Sequence, residues 1–398
     1  MNSMVGNNMD GIKPGVLLLM ILGCCLLLAN LYYSQPILAE ISAALAISQK
    51  MAGSVITMSQ IGYIVGLLFL APLGDFIENR KLCAAMVDGA ACASFLAAIT
   101  NNATIFLCAI LLMGIFASAT QILVVFSVAL AGPGKSGKIL GIVACGLFLG
   151  IAASRPVSSF LTSLWGWRSV YLISAICLFA VSVATFYFLP SIPVNKKGFG
   201  YGTVLRSMLK LVKFPRLLQR SLISGGTFFS FILFWSATPM YLANILGFSQ
   251  NSITVFTFAG LVTPPCMLLV GKLLDKGYHR QLILTGLCLV LGGWIMIALG
   301  PAWLCLFIGA ALLLDPFSST VTVSVQQTIL STALLEVRGR LNSLNISMNF
   351  FGGAAGGAMG PWLLINYGYM AVILVGACVI SALAIFALIT GKKDSKGE

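Results

Sequence analysis

The chain has 398 residues, is 59% apolar and only 8% charged, and carries a formal charge of +13. An average soluble domain is about 25% charged, and a soluble fold of this length could not cover its surface with so few charged groups. The composition excludes a soluble enzyme or nucleic-acid-binding domain and points to an all-α integral membrane protein.

In chain order, apolar runs of about 20 residues, each enough to cross a hydrocarbon core about 30 Å thick, fall near 16–35, 51–73, 82–100, 103–131, 138–162 and 168–190. After a polar stretch they resume near 218–246, 250–274, 281–299, 302–328, 340–364 and 368–390. These twelve predicted spans are helices, because the strands of a membrane barrel would alternate polar and apolar residues. The first run is long and has no clean small-x-small site after it, so it reads as a span and not a cleaved leader. All 11 cysteines lie inside the runs without metal-ligand spacing, so neither metal nor cofactor is expected.

With the N-terminus inside, all but three of the 23 Lys and Arg residues fall in cytoplasmic loops and tails. Lys50 and Arg168 fall outside, and Arg155 lies within a span. This satisfies the positive-inside rule, places both termini in the cytoplasm at a bacterial inner membrane, and assigns the basic excess to topology and the anionic inner leaflet rather than to nucleic acid. The segment from Thr203 to Leu218, with Arg206, Lys210 and Lys213 among apolar residues, has a basic amphipathic pattern suited to that leaflet, as a tether or a regulatory site. The predicted units are a half at 1–190, a linker at 191–217 and a half at 218–398.

The halves echo each other. Ala71 to Lys81 reads APLGDFIENRK and Gly271 to Gln281 reads GKLLDKGYHRQ, matching Asp75 with Asp275 and Arg80 with Arg280. Farther on, Gly150 matches Gly352, and Trp165-Gly166-Trp167 matches Tyr367-Gly368-Tyr369. A repeat of this length exceeds a solenoid period of about 20–50 residues and suggests a transporter built from two homologous halves. An acid at Asp75 or Asp275, with Glu78, Arg80, Lys276 and Arg280 around it, could accept hydrogen bonds from a neighbouring helix N-terminus. That would make a cytoplasmic gate latch; a loop that only fixes topology is the alternative.

Two repeats of six spans, each with this loop between its second and third span, resemble the major facilitator superfamily of secondary transporters. Gly271, Asp275, Lys276, Gly277 and Arg280 carry the pattern, while the first copy has Phe76 and Glu78 where that family usually has Arg and Gly. ANLYYSQPIL (29–38) and RGRLN (338–342) resemble a bacterial efflux-permease branch. Span five has Gly141, Gly150, Ser154 and Ser158-Ser159 on the spacing of the drug antiporters' glycine series, with Arg155 where their Pro stands. The base that the family carries in span four is absent from Leu111 to Gln121. The resemblance implies two pseudo-symmetric six-helix halves that rock about a midplane site, and a monomer is expected.

Three ionisable residues lie within spans: Asp88, Arg155 and Asp315. Each costs about 2.5–3.5 kcal/mol at the bilayer centre on insertion scales and should face a cavity or a partner. Asp315, beside Pro316 and on a span that lines the cavity in the resembled fold, is the predicted proton or cation acceptor, with a static pair as the alternative. Arg155 could counter Asp315, bind an anionic substrate group or snorkel outward. Asp88 suits an interfacial or coupling role. The predicted substrate lining is Asn30, Tyr33 and Gln35 on span one, Gln60 and Tyr63 on span two, and Gln121 on span four. It continues with Phe231 and Trp235 on span seven, Gln326 on span ten, and Asn342, Asn345 and Asn349 on one face of span eleven. Amides among aromatics suit a small, largely apolar organic molecule, and interhelical hydrogen bonding is the alternative for each. The leading expectation is proton-coupled efflux of a drug or metabolite; uptake with a proton, or a ligand sensor that does not transport, is also compatible.

Topology is directly testable. A membrane-impermeant maleimide applied to intact cells should label Lys50→Cys above the native-cysteine background and leave Lys196→Cys and Lys276→Cys unlabelled; the reverse pattern would invert the orientation.

Overall fold

The computed structural model describes residues 12–48, 51–130, 136–191, 200–212, 215–300, 303–331 and 338–394, and these form helices and turns without a strand. The first half comprises α1 (Pro14–Asn30), α2 (Leu38–Ala44), α3 (Gly53–Val65), α4 (Asn79–Ile99), α5 (Ala103–Ala117), α6 (Ala119–Leu130), α7 (Ser136–Trp165) and α8 (Trp167–Phe188). After α9 (Tyr201–Val212) come α10 (Pro215–Asn244), α11 (Gln250–Thr257), α12 (Thr263–Asp275), α13 (His279–Ala298), α14 (Leu304–Ser331), α15 (Arg338–Tyr367) and α16 (Tyr369–Asp394).

Several crossings are broken. α3 continues through a π turn (Gly66–Leu70) and a 3-10 turn (Ala71–Asp75), and α11 joins α12 through a 3-10 turn (Phe258–Val262). Pro72 and the Pro264-Pro265 pair withdraw backbone donors at these places, so the regular i to i−4 ladder cannot run through. With α5 and α6 taken as one crossing, and α11 with α12 as another, ten described stretches are long and apolar enough to cross a membrane. Predicted spans one and eleven supply the other two helices. α1 is apolar but only 17 residues long, and α15 has 30 residues whose asparagines and glycines lower its mean hydropathy. α9 is the helix of the predicted amphipathic linker.

The two halves pack alike. α1 lies against α7, as α10 lies against α15; α4 lies against α8, as α13 lies against α16. The glycine echo accounts for the first pair of contacts. A Cβ at Gly150 would strike the Cys25 carbonyl on α1, and one at Gly352 would strike the Gly225 carbonyl on α10, so each glycine lets two helix backbones touch. The aromatic-Gly-aromatic echo has its own cause. Gly166 at φ 77° and Gly368 at φ 78° make the left-handed residue that ends α7 and α15. The motif loops differ for the same reason. Gly277 has φ 85°, a conformation suited to glycine, whereas Ile77, its counterpart in the first copy, keeps a negative φ.

Between the halves, α3 packs on α15, α7 packs on α11, α12 and the turn joining them, and α2 touches α10. Overpacking a tight contact costs about 1–3 kcal/mol. Gly150→Ala and Gly352→Ala should therefore lower the melting temperature of the purified protein. Gly141→Ala should not, since a Cβ there meets nothing within 4 Å. Equal melting of all three variants would contradict the packing account.

Candidate functional site

Arg155 and Asp315 each precede a proline inside a long helix, Pro156 in α7 and Pro316 in α14. A helical proline gives no hydrogen bond to the carbonyl four residues back, which loosens both helices at these charges. Arg155 stands about 28 Å along α7 at 1.5 Å per residue, and Asp315 about 16 Å along α14. The helices run in opposite directions, so the two residues reach the same depth. The Arg155 Nη1 donates to Asp315 Oδ2 at 3.0 Å, with the side chains 0% and 2% exposed. Of the roles open to Arg155 from sequence, pairing with Asp315 is the one the structure displays.

Three elements complete the centre. The Arg155 Nε donates to Gln35 Oε1 at 2.8 Å, tying α7 to the turn after α1. The guanidinium carbon sits 4.0 Å from the Trp235 ring, 4.9 Å from Phe231 and 5.6 Å from Tyr32, a cage of cation–π contacts. The broken crossing brings Gly260 so close that a Cβ there would lie 2.8 Å from Asp315 Oδ2. Thr263 and the Trp235 indole also face Asp315, yet Thr263 Oγ1 and Trp235 Nε1 fall short of hydrogen-bond geometry. Arg155 Nη2 and Gln35 Nε2, both buried, have no hydrogen-bond partner.

An aromatic path leads from this centre toward α3. Phe231 stacks on Phe228 at 5.6 Å, Phe228 meets Phe350 at 5.2 Å, and Phe350 meets Tyr63 at 4.2 Å. The Tyr63 hydroxyl is 2.9 Å from Thr120 Oγ1 and accepts from Gln121 Nε2 at 3.3 Å. Gln60, fully buried beside Gly353, has neither amide atom partnered. Gln35, Gln60, Tyr63, Gln121, Phe231 and Trp235 are thus gathered along the contact between the halves.

The other predicted lining residues point elsewhere. Asn30 accepts from Ser94 at 3.3 Å and Ser174 at 3.0 Å, a hub inside the first half, and Tyr33 is buried beside Ser174. Asn345 accepts from Ser221 at 2.9 Å, Asn349 accepts from Ser224 at 2.6 Å, and Asn342 accepts from Gln326 at 2.6 Å. These are interhelical bonds from α15 to α10 and α14. Asp88 is half-buried on α4, a helix packed on α5 and α8, and is not brought to Arg155.

The first motif loop braces its own half. Glu78 pairs with Arg80 at 3.1 Å and with Lys81 at 3.2 Å. A hydrogen bond from Ser191, with help from Lys81 and Arg80, holds the Glu78 carboxyl below its usual range. Arg80 lies over the Phe186 ring at 5.8 Å. The Tyr201 hydroxyl of α9 donates to the Phe69 carbonyl at 2.7 Å, fastening the linker helix to the π turn. In the second copy Asp275, Lys276 and Arg280 are exposed. The side chain of Asp75 lies outside the described residues.

Sequence reasoning missed four contributors. Tyr32 was hidden by its choice neighbours Tyr33 and Gln35, and Gly260 and Thr263 by the apolar run around them. The fourth is a polar clasp in which Ser159 on α7 accepts from Gln250 Nε2 and Thr254 Oγ1 of α11, each at 2.7 Å. Along the other helix pair that joins the halves, the Thr57 hydroxyl donates to the Ala354 carbonyl at 3.0 Å, joining α3 to α15. All these bonds lie toward the face away from the chain termini. Toward the termini face, Ile64 and Leu68 of the first half and Leu344, Ser347 and Met348 of the second line a cavity of about 190 Å³. Ser221, Met348 and Phe351 are shared with a second apolar cavity of about 530 Å³ among α10, α15 and α16.

Comparison with known proteins agrees with this architecture. The family model for the Major Facilitator Superfamily matches residues 20–334. The uncharacterized transporter YgaY of Escherichia coli O157:H7 is 30% identical over 370 residues, covering 92% of this chain and 93% of that protein. The multidrug resistance protein MdtG of Dickeya zeae is 26% identical over 278 residues, 66% of this chain and 65% of that one. Among solved structures, a D-xylose–proton symporter superposes with a TM-score of 0.72 at 15% identity, covering 94% of this chain and 96% of the other. With its helices, their paired packing and the matched family model, this chain belongs to the Major Facilitator Superfamily of membrane transporters.

Proposed function

We propose that the protein exports a small organic molecule by proton-coupled alternating access, with Asp315 as the proton site and Arg155 as its counter-charge. The observation that carries this reading is the buried Arg155–Asp315 pair, formed between a helix of the first half and a helix of the second. Protonating Asp315 removes one charge, weakens the tie between the halves, and frees a guanidinium that Gln35 and the aromatic rings still hold. A site that changes the bond between two bodies when it takes a proton can transmit protonation to their relative position.

The moving bodies are residues 1–190 and 218–398, joined by 191–217. The clasps at Ser159–Thr254 and Thr57–Ala354 support a closed far face, and the cavity lined by Ile64, Leu68 and Leu344 supports access from the termini face. With basic loops inside, that face is the cytoplasmic side of a bacterial inner membrane. The Phe231–Phe228–Phe350–Tyr63 path, with Gln60 and Gln121, suits a largely apolar molecule with a few hydrogen-bonding groups. Efflux is the direction in keeping with the multidrug resistance name of the MdtG relatives.

In proteoliposomes carrying an imposed pH gradient, the wild type should concentrate a transported solute, and Asp315→Asn should lose at least about tenfold of that accumulation while keeping solute exchange at equal pH. Undiminished gradient-driven accumulation by Asp315→Asn would remove Asp315 from the coupling role.

A further inference from the structure

The centre is unevenly supplied with hydrogen-bonding groups. A guanidinium offers five N–H donors in two forked edges, and Nη2 belongs to both edges. Gln35 takes only Nε of one edge and Asp315 only Nη1 of the other, which leaves Nη2 between them without a partner. Gln35 Nε2 and Trp235 Nε1, which can only donate, are likewise buried and unpartnered. Three donor-only atoms around one cation call for a group that accepts twice in a plane, and a carboxylate matches a guanidinium edge in that way.

Charge balance narrows the occupant further. The pair is neutral as it stands, and a net charge buried at this depth is costly. An organic cation would have to displace Arg155, which is 0% exposed and held by Gln35 and three rings. A neutral solute carries no charge with which to take the guanidinium from Asp315. An anion can take the guanidinium from Asp315 and leave the centre neutral, provided that Asp315 receives a proton in the same step.

We propose that Arg155 receives the carboxylate of a small organic monoanion, which replaces Asp315 on the guanidinium as Asp315 takes one proton, so that anion and proton move together. The balance is Arg⁺·Asp⁻ plus R–COO⁻ plus H⁺ giving Arg⁺·⁻OOC–R plus neutral Asp315. This rests on the reading of the pair as the coupling centre and adds the substrate class and the sense of coupling: an exported acid leaves with a proton, down its own gradient. The titratable groups facing Asp315 are Arg155 from α7 and the Tyr32 phenol after α1. α10, α12 and the Phe258–Val262 turn present Trp235, Thr263 and Gly260, and α13 meets α14 there through Gly286 and Gly293.

The test uses the purified full chain with three probes of one shape: benzoate, benzamide and benzyltrimethylammonium, between pH 6 and 8, read by thermal stabilisation and by proton uptake in weak buffer. Benzoate alone should stabilise the wild type, with an affinity rising about tenfold per pH unit as pH falls and about one proton taken up per benzoate bound. Asp315→Asn should bind benzoate without pH dependence or proton uptake. The double variant Arg155→Gln/Asp315→Asn keeps a neutral centre, so it should fold and should not bind benzoate. Stabilisation by benzamide or benzyltrimethylammonium to the same degree, no effect of benzoate at any pH, benzoate binding without proton uptake, or binding retained in the double variant would each overturn the proposal. If benzoate fails while Asp315→Asn has lost pH-driven accumulation, only the substrate class falls; if that variant keeps accumulation, the coupling reading itself falls.

Discussion

An arginine and an aspartate held at membrane depth set the terms for the rest of this fold. Either charge alone is costly there, and removing one partner of a buried pair typically costs about 3–5 kcal/mol because the other is left uncompensated. Their 3.0 Å contact is therefore a strong tie between α7 and α14, helices of opposite halves. Neighbouring features serve that tie. Pro156 and Pro316 loosen the helices beside the charges, the missing side chain of Gly260 lets the broken crossing close over them, and Trp235, Phe231 and Tyr32 cage the guanidinium.

The tie also divides the interface between the halves. On the side away from the termini, close glycine packing of α3 on α15 and the Ser159 clasp join the bodies. On the termini side an apolar cavity lies between Ile64 of α3 and Leu344 of α15, and the first motif loop braces its own half. The pair is, on the proposed function, the pivot between two bodies that rock, with unequal contacts on its two sides. On the proposed function, a proton at Asp315 acts at this pivot and not at either gate.

Much of the scaffold was legible in the sequence because it repeats. Gly150 and Gly352 each sit at a backbone contact, and Gly166 and Gly368 each supply a left-handed residue, so one local rule was written twice. Hydropathy located the helices, while the α15 asparagines had a structural use that polarity alone could not separate from a lining. The unrepeated residues were harder. Arg155 and Asp315 announced themselves by cost, yet their pairing depends on the relative depth of two distant helices. Gly260 and Tyr32 gave no signal, since a glycine and a tyrosine in apolar runs have many ordinary uses. Asn30 misled for the opposite reason: its polar side chain serves Ser94 and Ser174 within one half.

The central claim is that the charge state of the Arg155–Asp315 pair sets the position of the two halves. Spin labels at Lys81 and Lys276, both exposed on the termini face and one in each half, would report their separation by pulsed electron resonance at pH 5.5 and pH 8. The account predicts a distance distribution that shifts with pH in the wild-type background and is fixed in Asp315→Asn. The same pH-dependent shift in that variant would contradict it.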